Sequence, residues 1–314
     1  MKKFLFRLFN LLVILFIVSA ILQLIISIRI KNKTLFGSDN LYTVKDQKND
    51  IVFLGSSRCY CTYDPRFFRD SLGIKSVNLG IEGHQDIAIH MIRLEYYLKY
   101  NPPPKLVLIS FDPFMNAGSF NVQKEFTRKD YFSRYAFLPN DQDKAIVEYF
   151  HFNFIEKYVP LYALLKYNLL LKSVSVYKKT QWETIGFAEN NHRWDTIANP
   201  YSYAGALKSY NAFTEYYDSI KTKLQSLNNL CKQYNIKLIC VEMPVYKGIY
   251  NKDAFDVTKK MCDESGIILI NTNENYIIDN PENFADQFHL NSNGVPLTMN
   301  VIIKDKNFIT ALKN

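Results

Sequence analysis

The sequence predicts an α/β protein built on a parallel sheet. Three observations point there. Short, continuously apolar runs recur, as expected for strands buried on both faces. Segments of helical periodicity separate them. The runs also end on glycine, serine or acidic residues, the places where a parallel sheet displays its chemistry.

Before the first strand comes a segment that does not belong to this pattern. Phe4 to Ile30 is almost wholly apolar, interrupted by Arg7, Asn10, Gln23 and Arg29. Leu11 to Ile28 alone is long enough to span most of a hydrocarbon core as a helix. The stretch exceeds a usual signal-peptide apolar region and ends without a small-x-small cleavage site, so it reads as an uncleaved transmembrane signal anchor over 1–32. Lys2, Lys3 and Arg7 precede it, and Arg29, Lys31 and Lys33 follow, so flanking charge is nearly balanced. A short tail ahead of a first helix usually stays inside, which places the remaining chain outside the cytoplasm. Residues 33–50 are polar and read as a linker.

Ile51-Val52-Phe53-Leu54 is the first strand, running directly into Gly55-Ser56-Ser57. Asp64-Pro65 opens a helix with an N-cap and a proline at its first position, and Gly73 closes it. The second strand, Ser76-Val77-Asn78-Leu79, leads to Gly80-Ile81-Glu82-Gly83. A helix begins near Asp86, with Ile87, Met91, Leu94 and Leu98 on one face, and ends at Asn101-Pro102-Pro103-Pro104. The third strand, Leu106-Val107-Leu108-Ile109, leads to Ser110-Phe111-Asp112-Pro113.

From about 116 to 210 the alternation stops. This stretch is rich in Tyr, Phe, Lys and Asn, with helical pieces at Lys144 to Phe150 and Leu161 to Leu171. It is expected to be an insertion over the strand ends, or else helical packing on the flank of the domain. Tyr217, Ile220, Leu224, Leu227 and Cys231 then mark a helix face, and Lys237 to Val241 is a fourth strand. A helix over Ala254 to Cys262 and a fifth strand, Ile267 to Ile270, follow. Asp286-Gln287-Phe288-His289 comes next, ahead of a last segment reaching Asn314.

Composition narrows the function classes. Hydrophobic residues make up 48% of 314, enough for a sizeable core and too many for a disordered chain. Net charge is +8, yet there is no dense Lys/Arg tract or nucleic-acid motif, so nucleic acid is not expected; a Lys-rich surface without a partner is the first reading of the charge, and attraction to an anionic membrane surface or an acidic envelope polymer is the other. The five cysteines, Cys59, Cys61, Cys231, Cys240 and Cys262, match no zinc spacing; buried free thiols are the default, with one or two disulfides open to the chain in an oxidising compartment. No metal and no diffusible cofactor is implied.

A serine at a strand end, with a histidine and an aspartate three apart downstream, supplies a nucleophile, a base and the acid that orients the base. In order and placement these segments resemble the SGNH (GDSL-like) hydrolase superfamily, over roughly 50–115 and 215–300. The family's Gly-Asp-Ser is matched by Gly55-Ser56-Ser57, its Asn-x-x-(Ile/Val)-x-Gly by Asn78 to Gly83, and its Asp-x-x-His by Asp286 to His289. The resemblance implies a three-layer α/β/α, flavodoxin-like SGNH domain over 51–314. Ser57 is then the nucleophile, His289 the base, Asp286 its orienting acid, and the Ser57 and Gly83 amides the oxyanion hole. Ser56 takes the nucleophile's role only if the turn is offset by one.

The third block, Gly-x-Asn-Asp in the family, departs here. Ser110-Phe111-Asp112-Pro113 has no Asn to complete the oxyanion hole. Losing that Asn is similar to the membrane-anchored branch containing the alginate O-acetylation proteins and the D-alanine transfer protein of teichoic acids. That likeness implies ester hydrolysis or O-acyl transfer on a cell-envelope glycan, with the acyl group supplied by a membrane-bound acyltransferase. Arg58, His84 and Asp112 are expected to line the site, Arg58 meeting either an anionic substrate or Asp112 itself. His90, His151 and His192 read as structural or surface residues. Two other readings stay open: a non-catalytic glycan- or partner-binding protein on the same fold, and a membrane-associated lipase or thioesterase.

Overall fold

The computed structural model describes residues 1–31, 47–81, 83, 86–114, 129–141, 143–170 and 186–313. The chain divides into two compact units: Met1–Thr43 with Thr127–Lys178, and Val44–Phe126 with Lys179–Asn314.

The second unit contains the sheet. Five strands, β1 (Ile51–Leu54), β2 (Ser76–Asn78), β3 (Leu106–Ser110), β4 (Lys237–Glu242) and β5 (Ile268–Asn271), pair throughout in parallel, in the order β2-β1-β3-β4-β5. The fold is therefore three-layer α/β, with the doubly wound order whose direction of winding reverses between β1 and β3. In such sheets the crevice at that reversal, beyond the strand carboxyl ends, is where ligands bind.

The helices of this unit are α2 (Ser57–Tyr60), α3 (Pro65–Leu72), α4 (Ile87–Tyr100), α9 (Tyr203–Glu215), α10 (Tyr217–Gln233), α11 (Lys252–Ser265), α12 (Asn275–Ile278), α13 (Gly294–Lys304) and α14 (Lys306–Lys313). Alternate strand residues feed opposite faces. Ile51, Phe53, Leu106, Leu108, Ile239, Val241 and Ile270 pack with Phe68 of α3, Val295, Met299 and Ile302 of α13, and Phe308 of α14. Val52, Leu54, Val107, Ile109 and Cys240, equally buried, face the other way, toward α4, α10 and α11.

The local punctuation behaves as the residue types dictate. Asp64 accepts from the Arg66 amide and Pro65 occupies the first helical position, while Gly73 ends α3 at φ 69°. Asp86 caps α4 through the Ala88 amide. Gly55 is required on two counts. Its φ is +145°, and a Cβ there would lie 2.0 Å from Ser110 Oγ and 2.7 Å from the Cys59 Cβ. Only a glycine lets β1 turn tightly enough to present the next residues above the sheet.

The first unit contains α1 (Lys2–Lys31) and the short helices α5 (Lys129–Phe132), α6 (Lys144–Tyr149), α7 (Phe154–Tyr158) and α8 (Tyr162–Lys166). Lys2–Ile28 of α1 is long and apolar enough to cross a membrane, with mean hydropathy 3.0. The stretch expected as one insertion is thus shared. Residues 129–170 belong with the N-terminal helix, whereas residues from 186 onward belong with the sheet. The expected helix over Leu161 to Leu171 is interrupted: Tyr162–Lys166 is helical, Tyr167 and Asn168 form a turn, and Leu169 and Leu170 are helical again, residue 171 lying outside the described residues.

Candidate active site

The turn after β1 delivers Ser57 to the carboxyl end of the sheet at its winding reversal. The loop after α12 delivers Asp286 and His289 to the same place. Ser57 Oγ lies 2.9 Å from His289 Nε2. His289 Nδ1 lies 2.9 Å from Asp286 Oδ2 and 3.0 Å from Oδ1. With Nδ1–H donating to the carboxylate, Nε2 is left to accept from the Ser57 hydroxyl, the tautomer that general-base work needs.

The Asp286 carboxylate is held from its own loop. Oδ1 accepts from the Phe288 amide at 2.7 Å and the His289 amide at 2.9 Å. Partial burial pushes its pKa up. The His289 bond and charge and the two amides outweigh that, leaving it below the usual carboxylate range. Asn291 reaches back to the Glu282 and Phe284 carbonyls, both at 2.9 Å, so the histidine's loop is anchored from below.

Ser56 and Arg58 flank Ser57 but face inward. Ser56 is 7% exposed and its Oγ caps α2, accepting from the Arg58 amide at 3.4 Å. Arg58 forms a buried ion pair with Asp112, Nη1 to Oδ2 3.0 Å, and donates from Nη2 to the Met243 and Pro244 carbonyls at 2.7 and 3.0 Å. Of its two expected roles the structure places it in the second, against Asp112. That pair joins α2 to the ends of β3 and β4. Burial raises the Asp112 pKa, while Arg58 and the Phe114 and Met243 amides oppose the shift. Arg58→Ala should therefore cost about 3–5 kcal/mol, because it leaves Asp112 buried without its counter-charge. Urea unfolding would measure it.

Gly83 sits beyond β2 with φ 74°, a conformation that suits glycine. Asp112, in the third block's place, is committed to Arg58 and is not free to meet an oxyanion. His84 lies outside the described residues.

Sequence reasoning did not assign a role to the Asn78 side chain, which is central. Its Nδ2 donates to the Cys59 carbonyl at 3.0 Å and the Tyr63 carbonyl at 2.8 Å, and its Oδ1 accepts from the Gly80 amide at 2.9 Å. One buried amide thus ties β2 to both ends of the segment that follows Ser57. The signal was there: a polar residue ending an apolar strand needs partners when buried.

Two further features lie close to these residues. Tyr246 packs against Trp194 and Tyr201, with ring centroids 5.0 and 5.6 Å apart, and its amide donates to the Gln287 carbonyl at 3.1 Å. The Gln287 side chain accepts from the Ser202 amide at 2.6 Å. These contacts set a partly exposed aromatic cluster beside the Asp286–His289 loop.

The other is Glu242, the last residue of β4 and 3% exposed, whose pKa burial raises to about 8, with Asp112 and Asp256 adding and Lys259 opposing. An unfolded chain ionises this carboxyl near pH ~4.3 while the folded one keeps its proton. Stability should therefore fall as pH rises from there to about 8, by at most about 5 kcal/mol. In Glu242→Gln that alkaline decline should be flattened, as thermal melts across this pH range would reveal.

All five cysteines are buried and unbridged, and burial pushes the Cys231 thiol up to about 12. Among the described residues no group of three or more His, Cys, Asp or Glu could hold a metal ion.

The second unit thus combines a doubly wound α/β sheet with a hydrogen-bonded serine–histidine–aspartate chain at its carboxyl end. No family model matches the sequence, and no curated protein matches it. Among solved structures, the chain is similar to a GDSL-like lipase from Bacteroides thetaiotaomicron, with a TM-score of 0.35 and 12% identity over 84% of this chain and 87% of that one. It is also similar to a catalytic mutant of an acetylxylan esterase from Geobacillus stearothermophilus, with a TM-score of 0.39 and 14% identity over 83% of this chain and 94% of that one.

Proposed function

We propose that the chain is a serine esterase or O-acyltransferase of the SGNH type, anchored in a membrane and acting on a cell-envelope glycan. The observation that carries the chemistry is the unbroken hydrogen-bonded chain from Ser57 Oγ through His289 to Asp286. A serine hydroxyl at 2.9 Å from an imidazole that an ionised carboxylate orients is an activated nucleophile.

In the first half-reaction His289 Nε2 takes the Ser57 proton as Oγ attacks the ester carbonyl. The Ser57 and Gly83 amides receive the oxyanion. Its collapse breaks the ester C–O bond, and the imidazolium gives its proton to the departing alcohol. In the second half-reaction His289 deprotonates water or a sugar hydroxyl, which attacks the acyl-enzyme and frees Ser57 with its proton restored. Without an Asn in the third block, the hole relies on backbone donors. One missing donor is worth about 3 kcal/mol of transition-state stabilisation.

The Trp194, Tyr201 and Tyr246 cluster beside the catalytic loop favours a glycan acceptor, since aromatic faces suit the apolar faces of sugar rings. The long apolar helix α1 supports a membrane anchor; an envelope glycan as substrate goes with an extracytoplasmic catalytic unit, and a membrane-bound acyltransferase would be the acyl source. The chain should turn over p-nitrophenyl acetate and, given an envelope polysaccharide, either transfer acetyl to it or release acetate from its acetylated form. Product mass spectrometry separates the two. A folded protein that binds polysaccharide but turns over neither substrate would favour a binding protein on this fold.

A further inference from the structure

Helix α7 is inside out for a surface helix in water. Its one charged carboxylate, Glu156, is 1% exposed, while Phe154 is 72%, Ile155 47%, Tyr158 44% and Val159 39% exposed. Glu156 is fully engaged inside: Oε1 accepts from Lys166 Nζ and the Tyr167 hydroxyl, both at 2.6 Å, and Oε2 accepts from the Asn153 amide at 2.7 Å. Helix α8 adds Tyr162 at 38% and Leu165 at 56% to the exposed apolar set. A water-facing helix places its charge outward and its aromatic and aliphatic groups inward, so this surface is made for something other than water.

What covers it follows from where α8 is attached. Two polar residues interrupt the end of the membrane-length helix, Gln23 and Ser27, at 1% and 5% exposure. Gln23 Nε2 donates to Ser27 Oγ at 2.8 Å, and Gln23 Oε1 accepts from the Leu161 amide, just ahead of α8, at 2.7 Å. Ile26 packs on the buried side of α8 with Leu164 and Leu169. Gln23 stands five residues before Ile28, about 8 Å along the helix axis. With a 27-residue span measuring about 40 Å, that position falls where hydrocarbon meets headgroups. The backbone amide that arrives there is satisfied by Gln23, as apolar surroundings demand. The exposed side chains are of the kind that settles at that depth: tyrosine and phenylalanine at the interface, leucine and isoleucine beneath it.

We propose that the Phe154–Leu165 face of α7 and α8 is a second membrane contact, seated in the interfacial layer of the bilayer that α1 crosses. It rests on α1 crossing a membrane and stands independently of the catalytic reading. The first unit is then seated in the membrane at two places, α1 across it and this face at its surface.

Phe154→Trp and Leu165→Trp, each at an exposed position that tolerates a larger ring, would be made in the full chain. Each would be reconstituted in phosphatidylcholine–phosphatidylglycerol vesicles, with and without phosphatidylcholine brominated near the top of its acyl chains. The parent, carrying Trp182 and Trp194, gives the baseline. Tyr234→Trp, 44% exposed at the end of α10 in the other unit, serves as the water-facing control. Bromine should quench about half or more of the added fluorescence at 154 and 165, the apolar face lying about 5–10 Å deep, and leave the control unchanged. Added emission that is unquenched and red-shifted at both positions would mean the face meets water, and overturns the proposal. Unquenched but blue-shifted emission would mean protein covers it, from this chain, a second copy or another protein, and overturns it equally.

Discussion

Ser57→Ala should abolish esterase turnover while leaving the fold intact. The loss expected is about 10⁴-fold or more in kcat, because the nucleophile and its base act as a unit and removing either removes the covalent route. Stability should change by less than about 1 kcal/mol, since Ser57 is partly exposed and Ala is well tolerated at a first helical position. A parallel Ser56→Ala variant separates the two serines. Ser56 is buried and caps α2. Its loss should cost about 1 kcal/mol of stability and only a modest part of the rate. Circular dichroism melts beside p-nitrophenyl acetate kinetics check both statements. If Ser56→Ala were the dead variant and Ser57→Ala the active one, the turn would be doing the opposite of what its geometry implies.

Asp286→Asn should lower kcat by about 10³–10⁴-fold at neutral pH with little change in KM. The amide cannot accept from Nδ1–H as a carboxylate does. It also offers an N–H that favours the other imidazole tautomer, turning Nε2 into a donor toward Ser57. The pH dependence of stability gives a separate check. The Asp286 pKa is depressed in the folded protein, so its contribution is fully present above the ordinary carboxylate range and is lost as pH falls through that range and below. Asp286→Asn should remove that acid-side dependence, and melts taken down through the carboxylate range would register it. An Asn variant with wild-type kcat would mean that the imidazole is oriented by something other than this carboxylate.

The sheet was readable because its strands are short apolar runs closed by residues that can do little else. Asp64-Pro65 and Gly73 bracket α3 as their backbone preferences dictate, and Gly55 is excluded from carrying a side chain by contacts with Ser110 and Cys59. The triad was readable because a serine just past β1 and an aspartate and histidine three apart near the C-terminus have a joint chemistry that none has alone. The ends of β4 and β5 each moved by a residue, the ordinary fraying of such boundaries. Two C-terminal helices, α13 and α14, were hidden inside what read as one trailing segment. Pro296 masks the start of α13, although a proline in a first turn sacrifices no helical hydrogen bond.

What the sequence did not disclose depends on partners far along the chain. Arg58 offered two roles until Asp112 and the carbonyls of Met243 and Pro244 stood around it. Gln23 read as an imperfection in an apolar helix until the Leu161 amide was found bonded to it, 138 residues away. Glu156 sits in a segment whose apolar periodicity gives the wrong inside. The pattern is that of an interfacial helix, and only its attachment to α1 reveals which solvent it meets.

The measurement that bears most directly on the central claim is covalent capture at Ser57. The full chain in detergent would be treated with a serine-reactive fluorophosphonate and digested, and the adduct located by mass spectrometry, with Ser57→Ala and His289→Ala alongside. A stoichiometric adduct on Ser57, absent from Ser57→Ala and slowed at least about 10³-fold in His289→Ala, is the expected result. A folded protein that stays unlabelled, or that is labelled equally fast without His289, would contradict an activated serine at this site.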